Sequence, residues 1–230
     1  MSAEAPPACH SSPLGLLKLY VRRPAPTAVK VEVFARERAI QLEVIDAGSL
    51  GQVDILAMNP FGTVPILEIA PGRTYSESLT ICQFLDEAVD GRRLFGETLL
   101  ERAEIAMWER RAELRLFAPS IEYVHHTHPA FGGLLRQHPE WARDEVAKAS
   151  SMLKIMAGRL EASTYLAGER LSAADLTAYL GYRGLTAFGA IEPVKSSGFR
   201  RWERQVGERP CMAPLRQLVG HLQSGKAGGT

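Results

Sequence analysis

Hydrophobic positions along the chain change their period near the middle, and this change predicts two domains of different architecture. In the first part, short apolar runs bounded by Pro, Gly and charged residues indicate strands that alternate with helices. From Thr98 onward the apolar positions recur with helical spacing. We therefore predict an α/β domain over residues 15–92 and an all-helical domain over residues 98–223, joined by the polar segment Asp90–Glu97.

The first domain is predicted to contain a β-α-β unit followed by a β-β-α unit. This order is thioredoxin-like, and the first unit should be right-handed. Pro71-Gly72 is a turn dipeptide between the last two strands. The predicted strands are Leu16–Val21, Gln41–Asp46, Pro65–Ile69 and Thr74–Tyr75, and the predicted helices are Thr27–Arg38 and Leu79–Val89.

One helix start in the second domain is marked by a capping pattern, Leu171-Ser172-Ala173-Ala174-Asp175-Leu176. Ser172 is the predicted N-cap, and Asp175 three residues later is its reciprocal partner. Leu171 and Leu176 are predicted to form a hydrophobic staple across the cap. This pattern predicts a stable helix start and has a structural role.

Composition and charge narrow the function classes. The 230 residues carry a net charge of +1, which gives no electrostatic argument for nucleic acid or for an acidic membrane surface. No apolar run approaches the roughly 20 residues that a membrane span needs. Three cysteines, Cys9, Cys82 and Cys211, are too few and too far apart for a disulfide framework. With residues 1–14 interpreted as a flexible tail rather than a signal peptide, we expect a cytoplasmic protein.

The segment Asn59–Leu67 ends in Val64-Pro65 and an apolar pair, which predicts a strand that begins at the proline. Proline has no N–H to donate to a ladder, so it is confined to a strand's first residue or to an edge. The backbone N–H and C=O of Val64 then remain available to an extended peptide laid alongside, as in β-strand addition. The Val64-Pro65 bond is also a candidate for the cis form.

A second motif, Tyr75–Thr80, places Glu77 and Ser78 where a helix begins. Backbone N–H groups and the positive end of the helix dipole favour an anionic ligand group there, and the Glu77 carboxylate suits an ammonium group. Each motif by itself also fits an ordinary strand entry or helix cap. Together they predict a site for a short, extended, zwitterionic peptide.

The two motifs together resemble the glutathione site of the soluble glutathione transferases. In that family the residue before a cis-proline pairs with the cysteinyl backbone of glutathione, and an acid-serine pair holds the γ-glutamyl group. The resemblance therefore implies glutathione-binding roles for Val64, Pro65, Glu77 and Ser78, with Gln52 as a further contact. It also implies a thioredoxin-like N-terminal domain, an all-α C-terminal domain and a homodimer.

The position of the family's catalytic residue is the main departure. Most classes ionise the glutathione thiol with a Tyr, Ser or Cys that follows the first strand, but here the serine-class position falls on Ala25, which has no donor. Tyr20 is one alternative, although most classes use a tyrosine there for packing. Thr27 is the other, and it also fits a plain helix-start residue.

An atypical yeast-type subgroup of the family, which lacks a catalytic Tyr, Ser or Cys, resolves this departure. It has a glycine followed by proline at this position, and water held by a serine and a histidine of the helical domain assists deprotonation. The segment Arg111–His126 is similar to the corresponding helix, with His125 at the histidine position. The serine position falls on Ile121, with Ser120 one residue early, which is about 100° of rotation on a helix.

The resemblance thus implies a detoxifying transferase in which the glutathione thiolate attacks a hydrophobic electrophile. The thiolate would be stabilised by the Thr27 backbone N–H, by the helix dipole beside Ala25 and by water near His125, with Ser120 as a possible second water ligand. One alternative is a glutathione-dependent isomerase, dehalogenase or peroxidase on the same scaffold. Another is a non-catalytic module that binds glutathione or a partner protein, for which Ala25 is the motivating residue.

Two further groups of residues have competing interpretations. Adjacent histidines on a helix point about 100° apart, and no cysteine or carboxylate completes a coordination geometry, so we expect no metal at His125, His126, His128 and His138. Four apolar residues with near-helical spacing are interpreted as core or dimer packing, or as part of an apolar substrate wall: Met107, Trp108, Leu114 and Phe117.

Overall fold

The computed structural model describes residues 15–23 and 25–224. The predicted tail at residues 1–14, Cys9 within it and the Gly-rich residues after Ser224 lie outside the described residues. The chain divides into two compact units, the first ending at Arg93 and the second beginning at Leu94.

The first unit has the predicted thioredoxin-like architecture, with one helix more than the sequence indicated. Its four strands form one mixed sheet, and the helices follow β1, β2 and β4. The elements are β1 (Leu17–Val21), α1 (Pro26–Glu37), β2 (Leu42–Asp46), α2 (Gln52–Met58), β3 (Ile66–Ala70), β4 (Arg73–Ser76) and α3 (Ser78–Glu87).

The helix that the sequence analysis missed, α2, buries little of its surface. Within it only Ile55 is fully buried, while Val53 is 80% exposed. The seven-residue helix begins after Gly51, whose N–H donates to the Asp54 carboxylate at 3.2 Å. A helix this short with one buried residue has no clear apolar stripe, so its pattern did not separate it from a loop.

The sheet order is β2-β1-β3-β4. β1 is parallel to β2, as a β-α-β unit requires, and antiparallel to β3, which is antiparallel to β4. The core of this unit includes Leu17 and Leu19 from β1. Valine, isoleucine and leucine residues of α1, β3 and α3 complete it. Fully buried members from those elements are Val29, Val31, Val33, Ile66, Leu67, Ile81 and Leu85.

The second unit consists of helices and connecting loops over its described residues, apart from one isolated β-bridge. A π-helical stretch at Glu113–Phe117 links the first two helices into one run. The α-helices are α4 (Leu99–Ala112), α5 (Ala118–Thr127), α6 (Pro139–Ala162), α7 (Ala173–Ala187), α8 (Ser197–Gly207) and α9 (Ala213–Gln223). In the part of the chain that the structure describes, none of the helices is both long and apolar enough to cross a bilayer.

The π-helical stretch has a local cause in Pro119. Proline lacks the N–H that would donate to the carbonyl four residues earlier, and its ring crowds that carbonyl. The helix accommodates this by lengthening a turn, so that the N–H of Ala118 donates to the carbonyl of Glu113, five residues back. Gly181 of α7 lies against this widened turn, where a Cβ would come within 2.7 Å of the backbone nitrogen of Phe117.

The predicted capping pattern at the start of α7 is confirmed, and Asp175 has more partners than predicted. The fully buried carboxylate accepts hydrogen bonds from the backbone N–H and the hydroxyl of Ser172, both at 2.9 Å. It also accepts from the backbone N–H of Leu166 and from the indole N–H of Trp202, again at 2.9 Å each. Asp175 therefore joins α7 to the loop before it and to α8.

We expect Asp175→Ala to lower the free energy of unfolding by about 3 kcal/mol or more, because it removes a helix cap and leaves several buried donors without an acceptor. Urea denaturation measures this loss. The matched control is Thr98→Ala, which removes an exposed cap whose hydroxyl accepts from the Glu101 N–H at 3.2 Å. The control should cost about 0.5–2 kcal/mol. Equal losses in the two variants would contradict a central role for Asp175.

Candidate glutathione site

Three segments of the first unit meet at one end of its sheet. Because β3 is antiparallel to both of its neighbours, the end of β1, the start of β3 and the end of β4 lie together. Ile66 is the partner of Tyr20 on one side and of Ser76 on the other. The residues immediately beyond these pairs are the ones that the sequence motifs singled out.

The Val64-Pro65 peptide bond is cis, as predicted. Pro65 is buried directly before β3, and Val64 is half-buried. The backbone N–H of Val64 makes no hydrogen bond within the described residues. This N–H is therefore available to an external acceptor, as the strand-addition interpretation requires.

Asn59 holds the turn that leads to Val64, a role that the sequence analysis did not assign. Its side chain is buried, and its amide nitrogen donates to the carbonyl and the hydroxyl of Thr63 at 2.9 and 3.0 Å. Its side-chain oxygen accepts from the N–H of Phe61 at 3.2 Å. An Asn-Pro pair that opens a turn is the sequence signal that was available for this role.

Thr27 links the start of α1 to the same turn. Its hydroxyl donates to the carbonyl of Val64 at 3.3 Å, so this hydroxyl is committed to the backbone. The backbone N–H of Thr27 has no acceptor within residues 15–23 and 25–224. It lies in the first turn of a twelve-residue helix that carries no acidic residue there, where partial positive charge accumulates.

Ala25 is the N-cap of α1, and its methyl side chain offers no proton donor to a ligand. Its carbonyl accepts from the N–H groups of Ala28 and Val29, both at 3.1 Å. Tyr20 and Thr27 were the two alternative catalytic residues. Tyr20 is buried, and its hydroxyl donates to the Glu68 carboxylate at 2.8 Å. Burial and the Glu68 carboxylate raise the pKa of Tyr20 to about 12, which makes its phenol a poorer acid. Tyr20 is therefore a packing residue.

Glu77 and Ser78 lie where β4 passes into α3. Glu77 is exposed and has φ 68°, a left-handed conformation that is uncommon for a residue with a side chain and that recurs at functional sites. The Ser78 hydroxyl makes no hydrogen bond among the residues described here, although the residue is largely buried. A carboxylate, a hydroxyl and the N-terminus of α3 are thus presented together.

Gln52, the first residue of α2, lies beside the turn that Asn59 organises. Its amide nitrogen lies 3.0 Å from the place where a Cβ on Gly62 would be. Gly62 also has φ 65°, so both its conformation and this close approach favour glycine. The side chain of Gln52 is exposed, and this part of the site therefore offers an amide as well.

His125 and Ser120 lie on α5 of the second unit and differ in how available they are. Burial lowers the pKa of His125 below its ordinary value of 6.5, with Glu122 opposing this shift and His126 adding to it. The imidazole is therefore neutral at pH 7 and packs against Phe131, with ring centroids 4.7 Å apart. The Ser120 hydroxyl is buried and donates to the carbonyl of Phe117 at 2.7 Å.

The environment of Ser120 favours a structural role over the one expected from the resemblance. A Cβ on Gly184 of α7 would lie 3.0 Å from the Ser120 hydroxyl oxygen, so this hydroxyl faces the packing between α5 and α7. A serine inside a helix commonly donates its hydroxyl to a backbone carbonyl one turn earlier. Ser120 therefore contributes to the packing of α5 against α7.

The other histidines also have local partners. A ring nitrogen of His126 accepts from the backbone N–H of His138 at 3.1 Å, and one of His128 accepts from the N–H of Ala130 at 3.2 Å. Within the described residues, no group of three or more His, Cys, Asp or Glu side chains is arranged to hold a metal ion.

Comparisons with known proteins agree with this geometry. Residues 25–88 match the family model described as glutathione S-transferase, N-terminal domain. The chain is 33% identical over 168 residues to glutathione S-transferase 2 of Saccharomyces cerevisiae, covering 72% of each protein. It superposes on the crystal structure of Gtt2 from the same yeast with a TM-score of 0.72 at 27% identity, covering 87% of this chain and 99% of that one. The chain belongs to the glutathione S-transferase family, as the sequence motifs predicted.

A further relative shows that this fold also occurs in a larger protein of another name. Elongation factor 1-gamma of Drosophila melanogaster is 28% identical over 183 residues, which cover 76% of this chain and 40% of that protein. Family membership therefore leaves the activity of an individual chain to be argued from its own residues.

We expect Asn59→Ala to lower the free energy of unfolding by about 1–3 kcal/mol, because Thr63 and Phe61 lose a buried partner. Chemical denaturation followed by circular dichroism measures the change. Ser49→Ala is the control, since it removes an exposed turn hydrogen bond to the Asp46 carbonyl. Its effect should stay within about 0.5 kcal/mol. A loss for Asn59→Ala no larger than the control would show that the turn does not depend on Asn59.

Proposed function

We propose that the chain binds glutathione at the converging end of the sheet and transfers its thiolate to hydrophobic electrophiles. The observation that carries the proposal is the set of unused polar groups gathered there: the N–H of Val64, the N–H of Thr27 and the hydroxyl of Ser78. An extended peptide supplies a matching donor or acceptor for each of them.

The cysteinyl part of glutathione would pair with Val64. In this pose the Val64 N–H donates to a peptide carbonyl, and the second lone pair of the Val64 carbonyl remains for a peptide N–H. The first lone pair already accepts from Thr27. Because Val64 immediately precedes buried Pro65, its backbone position is determined by the strand rather than by the ligand.

The γ-glutamyl end would occupy the start of α3. Its carboxylate suits the helix N-terminus and the Ser78 hydroxyl, and its ammonium suits the exposed carboxylate of Glu77. Gln52 offers a further amide to the peptide. Pro65 contributes by position, since it has no N–H to donate.

The thiol would be activated without a side-chain hydroxyl from Ala25. A thiolate near the first turn of α1 gains from the helix dipole and from the Thr27 N–H. In the second unit, we assign to neutral His125 the role of assisting deprotonation through water. The hydroxyl of Thr27 has no part in this step, because it donates to Val64.

Exposed apolar side chains of the second unit are candidates for contact with the electrophile. Trp108 and Phe117 are buried core residues, whereas Met107 and Leu114 are exposed and remain candidates for contact with an apolar substrate. We also propose a homodimer, which family membership supports. Cys82 and Cys211 form no disulfide with a described residue, in keeping with a cytoplasmic location.

The second candidate function is a binding module without catalysis. Ala25 favours it, because the chain has no side-chain donor at the usual catalytic position. Elongation factor 1-gamma is a relative in which the matching segment is only part of a larger protein, and this supports a binding module as the alternative. A module of this kind would bind glutathione, or a partner protein in its place, with no turnover of electrophiles.

We expect Glu77→Gln to weaken glutathione binding about five- to tenfold, because it replaces a charged contact worth about 1.5–3 kcal/mol by a neutral one worth about 0.5–1.5 kcal/mol. Isothermal titration calorimetry gives the dissociation constant. Glu43→Gln removes the same charge from an exposed position on β2 and should leave the constant unchanged. An unaltered constant in Glu77→Gln would remove Glu77 from the site.

A pH–rate profile with one aromatic electrophile tests the activation proposal. We expect His125→Ala to raise the apparent pKa of bound glutathione, which lowers the rate near neutral pH and restores it at higher pH. Because burial lowers the pKa of His125, its neutral form and its contribution persist above that pKa and are lost as the pH falls through it.

Two further variants complete this experiment. Ala25→Ser should leave the rate unchanged or lower, since a hydroxyl would displace water or crowd the sulfur. His221→Ala, which removes an imidazole from α9, should behave as the wild type. A faster Ala25→Ser with an unaffected His125→Ala would contradict water-assisted activation, and no turnover by glutathione-bound wild type would favour the binding module.

A further inference from the structure

A cavity lies within the second unit, and it shares no residue with the proposed glutathione site. It has a volume of about 340 Å³ and is enclosed by α7, α8, α9 and the turn between the last two. This volume falls within the range of small-molecule sites. One part of its wall is polar and charged, and the other part is apolar.

The polar part of the wall is centred on Tyr179. The residue is 9% exposed, and its hydroxyl has no hydrogen-bond partner among the described residues. Gly207 lies directly against this hydroxyl, and a Cβ there would overlap it. Burial raises the pKa of Tyr179, so the group stays protonated and can donate to a ligand at neutral pH. This hydroxyl lines the cavity and is therefore available to donate to a ligand there.

Three charged side chains surround this hydroxyl: Arg183, Glu203 and Arg216. Arg183 donates to the hydroxyl of Thr186 at 3.2 Å, and Arg216 donates to the carbonyl of Gly207 at 3.1 Å. Each guanidinium has five N–H donors, so both retain donors for a ligand. Two positive charges against one negative charge leave the lining with an excess of one positive charge.

The apolar part of the wall is supplied by α9 and the turn before it. Met212 and Leu215 are buried, and Val219 is half-buried beside them. An apolar body placed there would be removed from water at a gain of about 25 cal/mol for each Å² buried. The lining therefore complements a molecule with one negative charge at one end and a hydrocarbon part at the other.

We propose that this cavity binds a small amphipathic carboxylate. Its carboxylate accepts hydrogen bonds from the Tyr179 hydroxyl and from the guanidinium groups of Arg183 and Arg216. Its hydrocarbon part packs on Met212, Leu215 and Val219. A carboxylate fits the planar fork of arginine through two parallel hydrogen bonds, which an alcohol or an amine cannot accept in the same way.

The experiment titrates the full chain with octanoate, using saturation-transfer NMR, in the presence and absence of glutathione. The expected dissociation constant is in the millimolar range, typical of a ligand of this size. 1-Octanol and octylamine, which match the chain length, should bind at least tenfold more weakly. Equal binding of octanol and octanoate would overturn the proposal, because it would show apolar adsorption.

Two variants locate the site. Tyr179→Phe removes only the hydroxyl and should weaken octanoate binding about tenfold, and Arg183→Met should weaken it at least as much. Both should bind glutathione as the wild type does. Unchanged octanoate affinity in both variants would place the ligand elsewhere and overturn the proposal.

Two matched substitutions at Gly220 test whether octanoate occupies the cavity, and they leave its polar wall unchanged. Gly220 lines the cavity from an exposed position on α9, and a Cβ there meets no atom within 4 Å. Gly220→Leu should obstruct the cavity and abolish octanoate binding, while Gly220→Ala should retain it, and both replace glycine by better helix formers. Equal octanoate binding in the two variants would contradict the proposal. Because these readouts concern octanoate alone, they are independent of whether glutathione binds as proposed.

Discussion

The double pairing of Ile66 is the constraint on which the candidate glutathione site depends. Ile66 is fully buried, and it is the ladder partner of Tyr20 in β1 and of Ser76 in β4. A shift of either pairing by one residue would turn Ile66 and its neighbours to the opposite face of the sheet. The buried core therefore determines the register, and the register brings Val64, Ser78 and the start of α1 to one end of the sheet.

The site itself consists of groups that the fold leaves unused. Buried backbone groups are almost always paired in folded proteins, so an unused N–H is tolerated only where water or a ligand can reach it. Val64 and Thr27 present such groups, while the bonds from Asn59 to Thr63 and from Thr27 to Val64 determine the position of the turn. The supporting bonds are thus made within the protein, and they hold the turn that carries the unused N–H of Val64.

The sequence was sufficient for the parts of the structure that local patterns determine. The four strands, helices α1 and α3 and the cap at Ser172 and Asp175 follow from hydrophobic period and cap residues, and proline chemistry made Val64-Pro65 a candidate for the cis form that the structure shows. Two features did not follow. α2 has one fully buried residue and so no readable stripe, and the Ser120 hydroxyl bonds to Phe117 within a helix that Pro119 has widened. The first lacks an apolar pattern, and the second depends on how α5 packs against Gly184 of α7, which is distant in sequence.

The absence of a hydroxyl at Ala25 is compatible with thiol activation on energetic grounds. A free thiol has a pKa of about 8.5, and lowering it by one unit requires about 1.4 kcal/mol of preferential stabilisation of the thiolate. The N-terminus of a helix supplies about 0.3–1 kcal/mol to a nearby anion when exposed and up to about 2 kcal/mol when partly buried. A hydrogen bond from the Thr27 N–H to a charged sulfur adds a contribution of the same order. The hydroxyls of Tyr20 and Thr27 both donate to other groups, so the proposed activation draws on the backbone N–H of Thr27 and the dipole of α1 rather than on either hydroxyl.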